Sequence, residues 1–341
     1  MATYNYPRNS VLKRIEQEKL PLLTANRVAF GILPMRNVNA ALLRWIQKDN
    51  FKGLMNARGL GGPPGAVSHI AENEWLVEPG YFGEYKTIGE REMTLRRNAA
   101  SFSGAPIDVS DLVMECTDHL YERRVSRIEQ IIWNVLKGTF SVPGPNGLVI
   151  QSDTFTVKTA TAAVSWATHA TATPIADLMA IALLGAGTSN QFNASAKMYM
   201  NRVLANHLMS NTNAADLGGK LILNGSTVNT LQQVNMIFAG YDLPQVEIMD
   251  EGYLADATGT FTRYLGNEEA VVIGSRTSGA PIGYFGMTLN ANNPGGAPGP
   301  YTFIKDRTGE MVPPTIEVHD GFNGGPVLEF PGSICYFDSV P

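Results

Sequence analysis

Charge is what this sequence has least of. Asp, Glu, Lys and Arg make up 17% of its 341 residues, where soluble domains average roughly 25%. A surface so thinly charged has less that must stay solvated, and burial against other chains is one use for the remainder. Basic clusters are missing as well. The net charge is -5 and no Lys/Arg run exceeds two residues. That excludes the cationic footprint on which tight, sequence-independent nucleic-acid binding depends. Cysteine is nearly absent: Cys116 and Cys335 lie far apart, which excludes a disulfide scaffold and reads as two reduced core thiols. No run approaches the ~20 apolar residues of a membrane-spanning helix, and the start, Met-Ala-Thr-Tyr-Asn-Tyr-Pro, has no apolar signal segment. Synthesis and folding in a reducing cytoplasm are expected, which makes the sequons at Asn193 and Asn224 chance matches.

Catalytic signatures are also lacking. Gly218-Gly-Lys220 is followed by Leu221, where a phosphate loop needs a Mg²⁺-binding hydroxyl. Gly185-Ala-Gly187 follows a helical pattern and has no third glycine. There is no Gly-x-Ser-x-Gly, His-Glu-x-x-His or Cys-x-x-Cys. The five histidines are scattered along the sequence. His119, one turn beyond Glu115, reads as a polar residue on a helix face. The carboxylate pairs Asp250-Glu251 and Glu268-Glu269 sit beside turn signals and read as solvated. Catalytic residues converge in space, so an α+β enzyme with an unrecognised site stays open as an alternative. No catalytic residue, cofactor or metal ligand is assigned.

What the sequence has in plenty is Gly (34) and Pro (20), hence turns and irregular segments. Residues 1–50 read as short elements, helical over 10–19 and 39–47, interrupted at Pro7, Pro21 and Pro34. Arg58-Gly-Leu-Gly-Gly-Pro-Pro-Gly65 suits neither helix nor central strand. Residues 69–97 look extended, with a type II turn signal at Pro79-Gly80. This two-stranded excursion has little apolar content and needs outside support, because a lone hairpin is marginal in water.

A single long amphipathic helix is expected over 108–137. Asp108 is a natural N-cap with Asp111 in the first turn, and Gly138 is a stop. Thirty residues would span about 45 Å. Val109, Val113, Cys116 and Leu120 step by three and four along one face. Arg124 breaks the series, which resumes at Ile128, Ile131 and Val135, joined by Tyr121, Val125 and Ile132. Glu115, Asp118, Glu122 and Glu129 form an acidic stripe; His119, Arg123 and Arg127 form a basic line beside it. The stripes fit an ordinary solvated face or charge complementarity between neighbouring subunits.

Beyond it, a hairpin is expected over 148–158, helices over 174–184, 194–209 and 226–238, and strands over 245–249, 270–274 and 282–289. This block, 172–298, reads as a compact α+β unit with a Gly/Pro/Asn-rich loop at 290–300. The end reads as a hairpin: 315–319, a turn over Asn323-Gly-Gly325, then 327–337.

The order of these features resembles the lambda-type major capsid proteins of tailed phages, the capsid protein E family. Pro79-Gly-Tyr81, Met93-Thr-Leu-Arg-Arg97 and Val135-Leu-Lys-Gly138 are similar to that family's corresponding segments, with identities concentrated in 54–140. The resemblance implies an α+β, Hong Kong 97-type fold: an N-terminal arm (1–65), an E-loop (66–100), a P-domain (101–171) with its spine helix at 108–137, an A-domain (172–298), and closing strands (299–341) returning to the P-domain. It implies a non-enzymatic head shell assembled in the host cytoplasm and residing in the virion. The partners implied are copies of the chain as hexamers and pentamers, a scaffold, a portal, a decoration protein, and packaged double-stranded DNA held without sequence-specific contacts; no membrane is implied. Inter-subunit contacts are expected from Tyr81, Phe82, Tyr85, Arg91, Arg96 and Arg97, with Glu115, Asp118, Glu122, Arg123 and Arg127 offering paired charges. Lys86 stands where some relatives cross-link, but lambda-type shells generally lack that chemistry and none is assigned. An encapsulin-like compartment is the alternative that shares the fold.

Overall fold

The computed structural model describes residues 4–47, 54–55, 57–62, 73–95, 107–143, 148–188, 190–211, 230–255, 259–276, 281–310 and 312–341. The chain forms two compact units. The first gathers 1–43, 76–132 and 284–327; the second gathers 44–75, 133–283 and 328–341.

In the first unit a five-stranded sheet is organised around one strand, Ile316–Leu328. Gly80–Ile88 pairs antiparallel with residues 316–324, and Tyr301–Asp306 pairs antiparallel with 316–321. Both use the same residues, so they occupy opposite edges. Gly283–Met287 also pairs with the central strand, and Met35–Asn37 adds parallel beyond it. The expected turn over Asn323-Gly-Gly325 is therefore overturned, because the strand runs straight through it. The glycines here serve close approach. A Cβ on Gly321 would stand 2.4 Å from the Phe82 carbonyl oxygen and 2.6 Å from the Tyr301 hydroxyl. The excursion near Pro79 is no hairpin either: Asn73–Val77 pairs with Leu43–Gln47, and residues 90–95 turn helical. The expected helix over 39–47 ends as the strand Leu43–Gln47, whose burial alternates with period two.

The long helix spans Ser110–Leu136, about 40 Å at 1.5 Å per residue. Asp108 Oδ1 accepts from the Ser110 N–H at 2.9 Å, capping the start, and hydrogen bonding holds its carboxyl below the usual range. Gly138 adopts φ 94°, the left-handed stop that a Cβ disfavours. The buried stepping face is Val109, Val113, Cys116 and Leu120, which packs with Leu12, Ile88, Met93, Ile316 and Val318. The N-terminal helix, Asn9–Ala25, runs past Pro21. A proline removes one helical hydrogen bond; here packing at Leu12 and Glu16 and the Lys19–Asp118 ion pair hold the three turns before it.

The second unit is a five-stranded sheet in the order Gln245–Ile248, Lys197–Met200, Glu269–Ile273, Ile334–Asp338, Lys158–Thr161, its two outer pairings parallel and its two inner ones antiparallel. The helices Pro174–Leu184, Arg202–Met209 and Leu231–Gly240 cover it, and Trp166, Leu178, Met198, Leu204, Phe238, Val272 and Phe337 fill the core. Several expected elements change here. The helix over 194–209 is a strand at Lys197–Met200 followed by a helix that Asn201 caps through the Leu204 N–H. Three consecutive buried residues, Met198–Met200, mark a central strand. The hairpin over 148–158 is split: Val149–Thr154 pairs back with Thr139–Pro143, while Lys158–Thr161 joins the large sheet. Of the closing strands, Tyr301–Asp306 and Ile316–Leu328 lie in the first unit's sheet, but Ile334–Asp338 is an inner strand of the second's. The helix expected over 226–238 is described from Leu231, with Thr230 and Gln233 forming a capping box; 226–229 lie outside the described residues.

Candidate interaction surface

Strand alternation sorts the expected contact residues onto two faces of the first sheet. Glu84 and Phe82 point toward the long helix. Arg123 grips Glu84 with Nε and Nη2 at 2.5 and 2.9 Å, and the Arg127 guanidinium lies 5.9 Å from the centre of the Phe82 ring. Phe82 also stacks on Phe322 at 4.9 Å, so it is committed within its own subunit. Tyr81 and Tyr85 point the other way and are 62% and 60% exposed. Tyr85 stacks on His319 at 5.2 Å and His319 on Phe303 at 4.7 Å, a row of rings crossing three strands. The Tyr301 hydroxyl lies over Gly83 and Gly321 on that same face. His319 also meets Glu317 at 2.9 Å; this contact and Arg307 hold the Glu317 carboxyl below its ordinary range.

The charged stripes divide similarly. Asp118 accepts from Lys19 Nζ at 2.5 and 2.6 Å. Buried Glu129 pairs with Arg27 at 2.6 Å, and Arg127 donates to Gln130 at 2.7 Å. Arg91, Glu115 and Glu122 are exposed and form no ion pair among the described residues. Arg96 and Arg97 lie outside the described residues, as do 66–72 and 98–100 of the expected E-loop. Asp118, Glu129 and Arg123 are thus neutralised by the chain itself, and Glu115 and Glu122 are not. Sequence reasoning missed these partners because Lys19, Arg27 and Glu84 are brought to the helix by tertiary packing alone.

Arg124, which interrupts the apolar face, is the centre of a buried cluster. Nη2 donates to Glu16 at 2.6 Å and Nη1 to Asp320 at 2.7 Å, while Thr302 donates to Asp320 at 2.8 Å. Burial pushes Asp320 up to about 6, against the opposing pull of Arg124. The cluster ties the N-terminal helix, the long helix and the central strand together, and nothing in it resembles a reactive site.

A second unpaired surface lies on the ribbon of Thr139–Pro143 and Val149–Thr154. Leu148, Val149 and Ile150 are 72%, 56% and 71% exposed in sequence, beside a two-stranded sheet whose edges pair with no further strand among the described residues. Three adjacent exposed aliphatic residues at a sheet edge are a pairing or docking liability in an isolated subunit.

Chemistry is sparse elsewhere. Among the described residues no group of three or more His, Cys, Asp or Glu could hold a metal ion, and no helix is long and apolar enough to cross a membrane. Both cysteines are buried; burial raises the Cys116 thiol and pushes Cys335 up to about 12, which leaves both unreactive. A depression lined by Gly185, Thr188, Asn193 and Asp242 holds one carboxylate, which already accepts from the Ala194 N–H at 3.0 Å.

No family model and no curated protein matches the sequence. Solved structures do. A protein assigned as the capsid protein of an E. coli CFT073 prophage aligns over 95% of this chain and 98% of its own, with a TM-score of 0.54 at 14% identity. A phage-related protein from Bordetella bronchiseptica RB50 aligns over 94% and 96%, with a TM-score of 0.53 at 10% identity. The capsid of Myoviridae phage XM1 aligns over 93% and 91%, at 13% identity and a TM-score of 0.49. The chain therefore has the α+β, Hong Kong 97-type fold of phage capsid proteins.

Proposed function

We propose that this chain is the major capsid protein of a tailed phage, of the lambda type, and that it self-assembles into an icosahedral head shell enclosing double-stranded DNA. The observation that carries the reading is the shared fold with the prophage capsid protein over 95% of the chain. Exposed apolar and aromatic residues on two separate surfaces support it. On this reading the first unit holds the P-domain's spine helix, the second holds the A-domain, and the E-loop falls within residues 66–100. Function is association: Tyr81 and Tyr85 on the outer face of the sheet, Arg91, and the Leu148–Ile150 edge meet neighbouring copies. Contacts of this kind are heterologous and close into rings, individually modest and collectively strong. A net charge of -5 suits a shell that must not grip its DNA. Scaffold, portal and decoration proteins are further partners of such a head.

The test is electron cryo-microscopy of the chain expressed with its scaffold. Uniform icosahedral particles are expected. Small soluble species alone would overturn the reading, and closed particles that form without the scaffold and retain a host protein as cargo would reassign the chain to an encapsulin-like compartment.

A further inference from the structure

A sheet edge presents a row of N–H and C=O groups to which another strand can add. In the second unit one edge belongs to Gln245–Ile248, which pairs parallel with Lys197–Met200 and with no further strand among the described residues. Alternate residues make its inward bonds: the Gln245 N–H donates to the Ala196 carbonyl at 2.9 Å and the Met249 N–H to the Met200 carbonyl at 2.8 Å. Residues of the other parity, Pro244, Val246 and Ile248, therefore turn their backbone groups outward. Pro244 has no N–H to give. Val246 has both groups, and both are taken by one side chain. Asn235, in the helix Leu231–Gly240 that leads into the strand, accepts from the Val246 N–H at 2.8 Å through Oδ1 and donates to the Val246 carbonyl at 3.0 Å through Nδ2. Val234, Ile237 and Phe238 of that helix share a buried core with Val246, which holds Asn235 in place.

We propose that Asn235 blocks this edge against strand addition by a second copy of the chain, and that the strand it excludes is the ribbon strand Val149–Thr154. A carboxamide carries the donor and the acceptor of a peptide group, so Asn235 makes the two bonds an incoming strand would make. The ribbon strand is the natural intruder. It bears exposed Val149 and Ile150, and beyond Thr139–Pro143 it pairs with no further strand among the described residues. Each chain thus carries a strand able to add and an edge able to receive. The two patches differ, so pairing between them would run head to tail and, wherever the rotation did not close, extend into a filament. With Pro244 lacking a donor and Val246 satisfied, only Ile248 of the three outward residues offers both groups, too few for a ladder. The block directs association away from this edge. It rests on the fold of the second unit alone and does not depend on the shell reading.

Amide hydrogen exchange on the full chain, held as dilute subunits, tests the block. The Val246 amide should be protected in the parent and exchange roughly tenfold faster in Asn235→Ala, as expected for the loss of about one hydrogen bond, while the Val272 amide of the inner strand keeps its protection. A labelled peptide of residues 148–154 supplies the second readout: it should bind Asn235→Ala at least tenfold more tightly than the parent. Asn235→Ser, whose shorter side chain cannot span both groups of Val246, serves if the alanine variant does not fold. A Val246 amide that exchanges freely in the parent, or is equally protected in the variants, overturns the block, as does a peptide that binds parent and variants alike.

Discussion

At the scale of single residues, Arg124 and Asp320 decide more than the residues first singled out. A buried arginine facing two carboxylates leaves one net negative charge inside the fold, and Asp320 answers by holding its proton up to about pH 6. A carboxyl in an unfolded chain releases its proton near 4. The folded state therefore binds a proton that the unfolded state has lost between about pH 4 and 6. The contribution of Asp320 to stability is full below pH 4 and declines as pH rises through 6. Glu269 runs the other way: although burial disfavours its charge, Lys137, the Gly266 N–H and Tyr336 hold its pKa down, so the parent's own pH curve mixes signs. The comparison must be with Asp320→Asn, which cannot titrate. Urea unfolding of dilute, unassembled subunits at about pH 4 and pH 6.5 should show the asparagine variant gaining on its parent by on the order of 1–3 kcal/mol. A difference that does not change with pH would remove Asp320 from the acid response.

Among the elements, the long helix was legible because its signals are local: an acidic cap, a 3.6-residue apolar period and a glycine stop agree with one another. The same stop gives a sharp prediction. At Gly138 a Cβ would meet Phe155 O at 3.2 Å and Val157 Cγ2 at 3.0 Å, at φ 94°. Gly138→Ala should cost at least the 1–2 kcal/mol of a left-handed L-residue, read as a lower urea midpoint with unchanged slope; an unshifted midpoint would mean the helix end relaxes freely. Elements set by distant partners were not legible. Asn323-Gly-Gly325 reads as a turn because its composition is that of turns, yet in the fold it is mid-strand, packed against residues 80–81 and 286. Met198–Met200 reads as helix because a strand buried on both faces loses its alternation. The candidate contact surface divides likewise: Tyr81 and Tyr85 face outward, while Phe82, Asp118 and Glu129 are taken by Arg127, Phe322, Lys19 and Arg27, which no spacing rule connects to them.

At the scale of the whole molecule, the low charge fraction becomes a statement about where free energy is gained. A subunit with Leu148, Val149 and Ile150 exposed on an open ribbon has apolar surface that folding alone does not cover. Covering it yields about 25 cal/mol per Å², which is small for one contact and large when every copy in the proposed closed shell repeats it. The consequence is a variant that folds and does not assemble. Leu148→Asp with Ile150→Asp changes two exposed side chains, so the subunit's own stability should move by no more than about 0.5 kcal/mol per site. In the proposed shell each carboxylate would be desolvated against an apolar neighbour without a partner, at a cost repeated in every subunit. Sedimentation should then find the parent in large particles and the double variant as free subunits or small rings, with superimposable thermal unfolding of the dissociated chains. Normal particles from the double variant would place the ribbon on a free surface of the shell and leave the outer aromatic face, Tyr81 and Tyr85, as the contact that assembly requires.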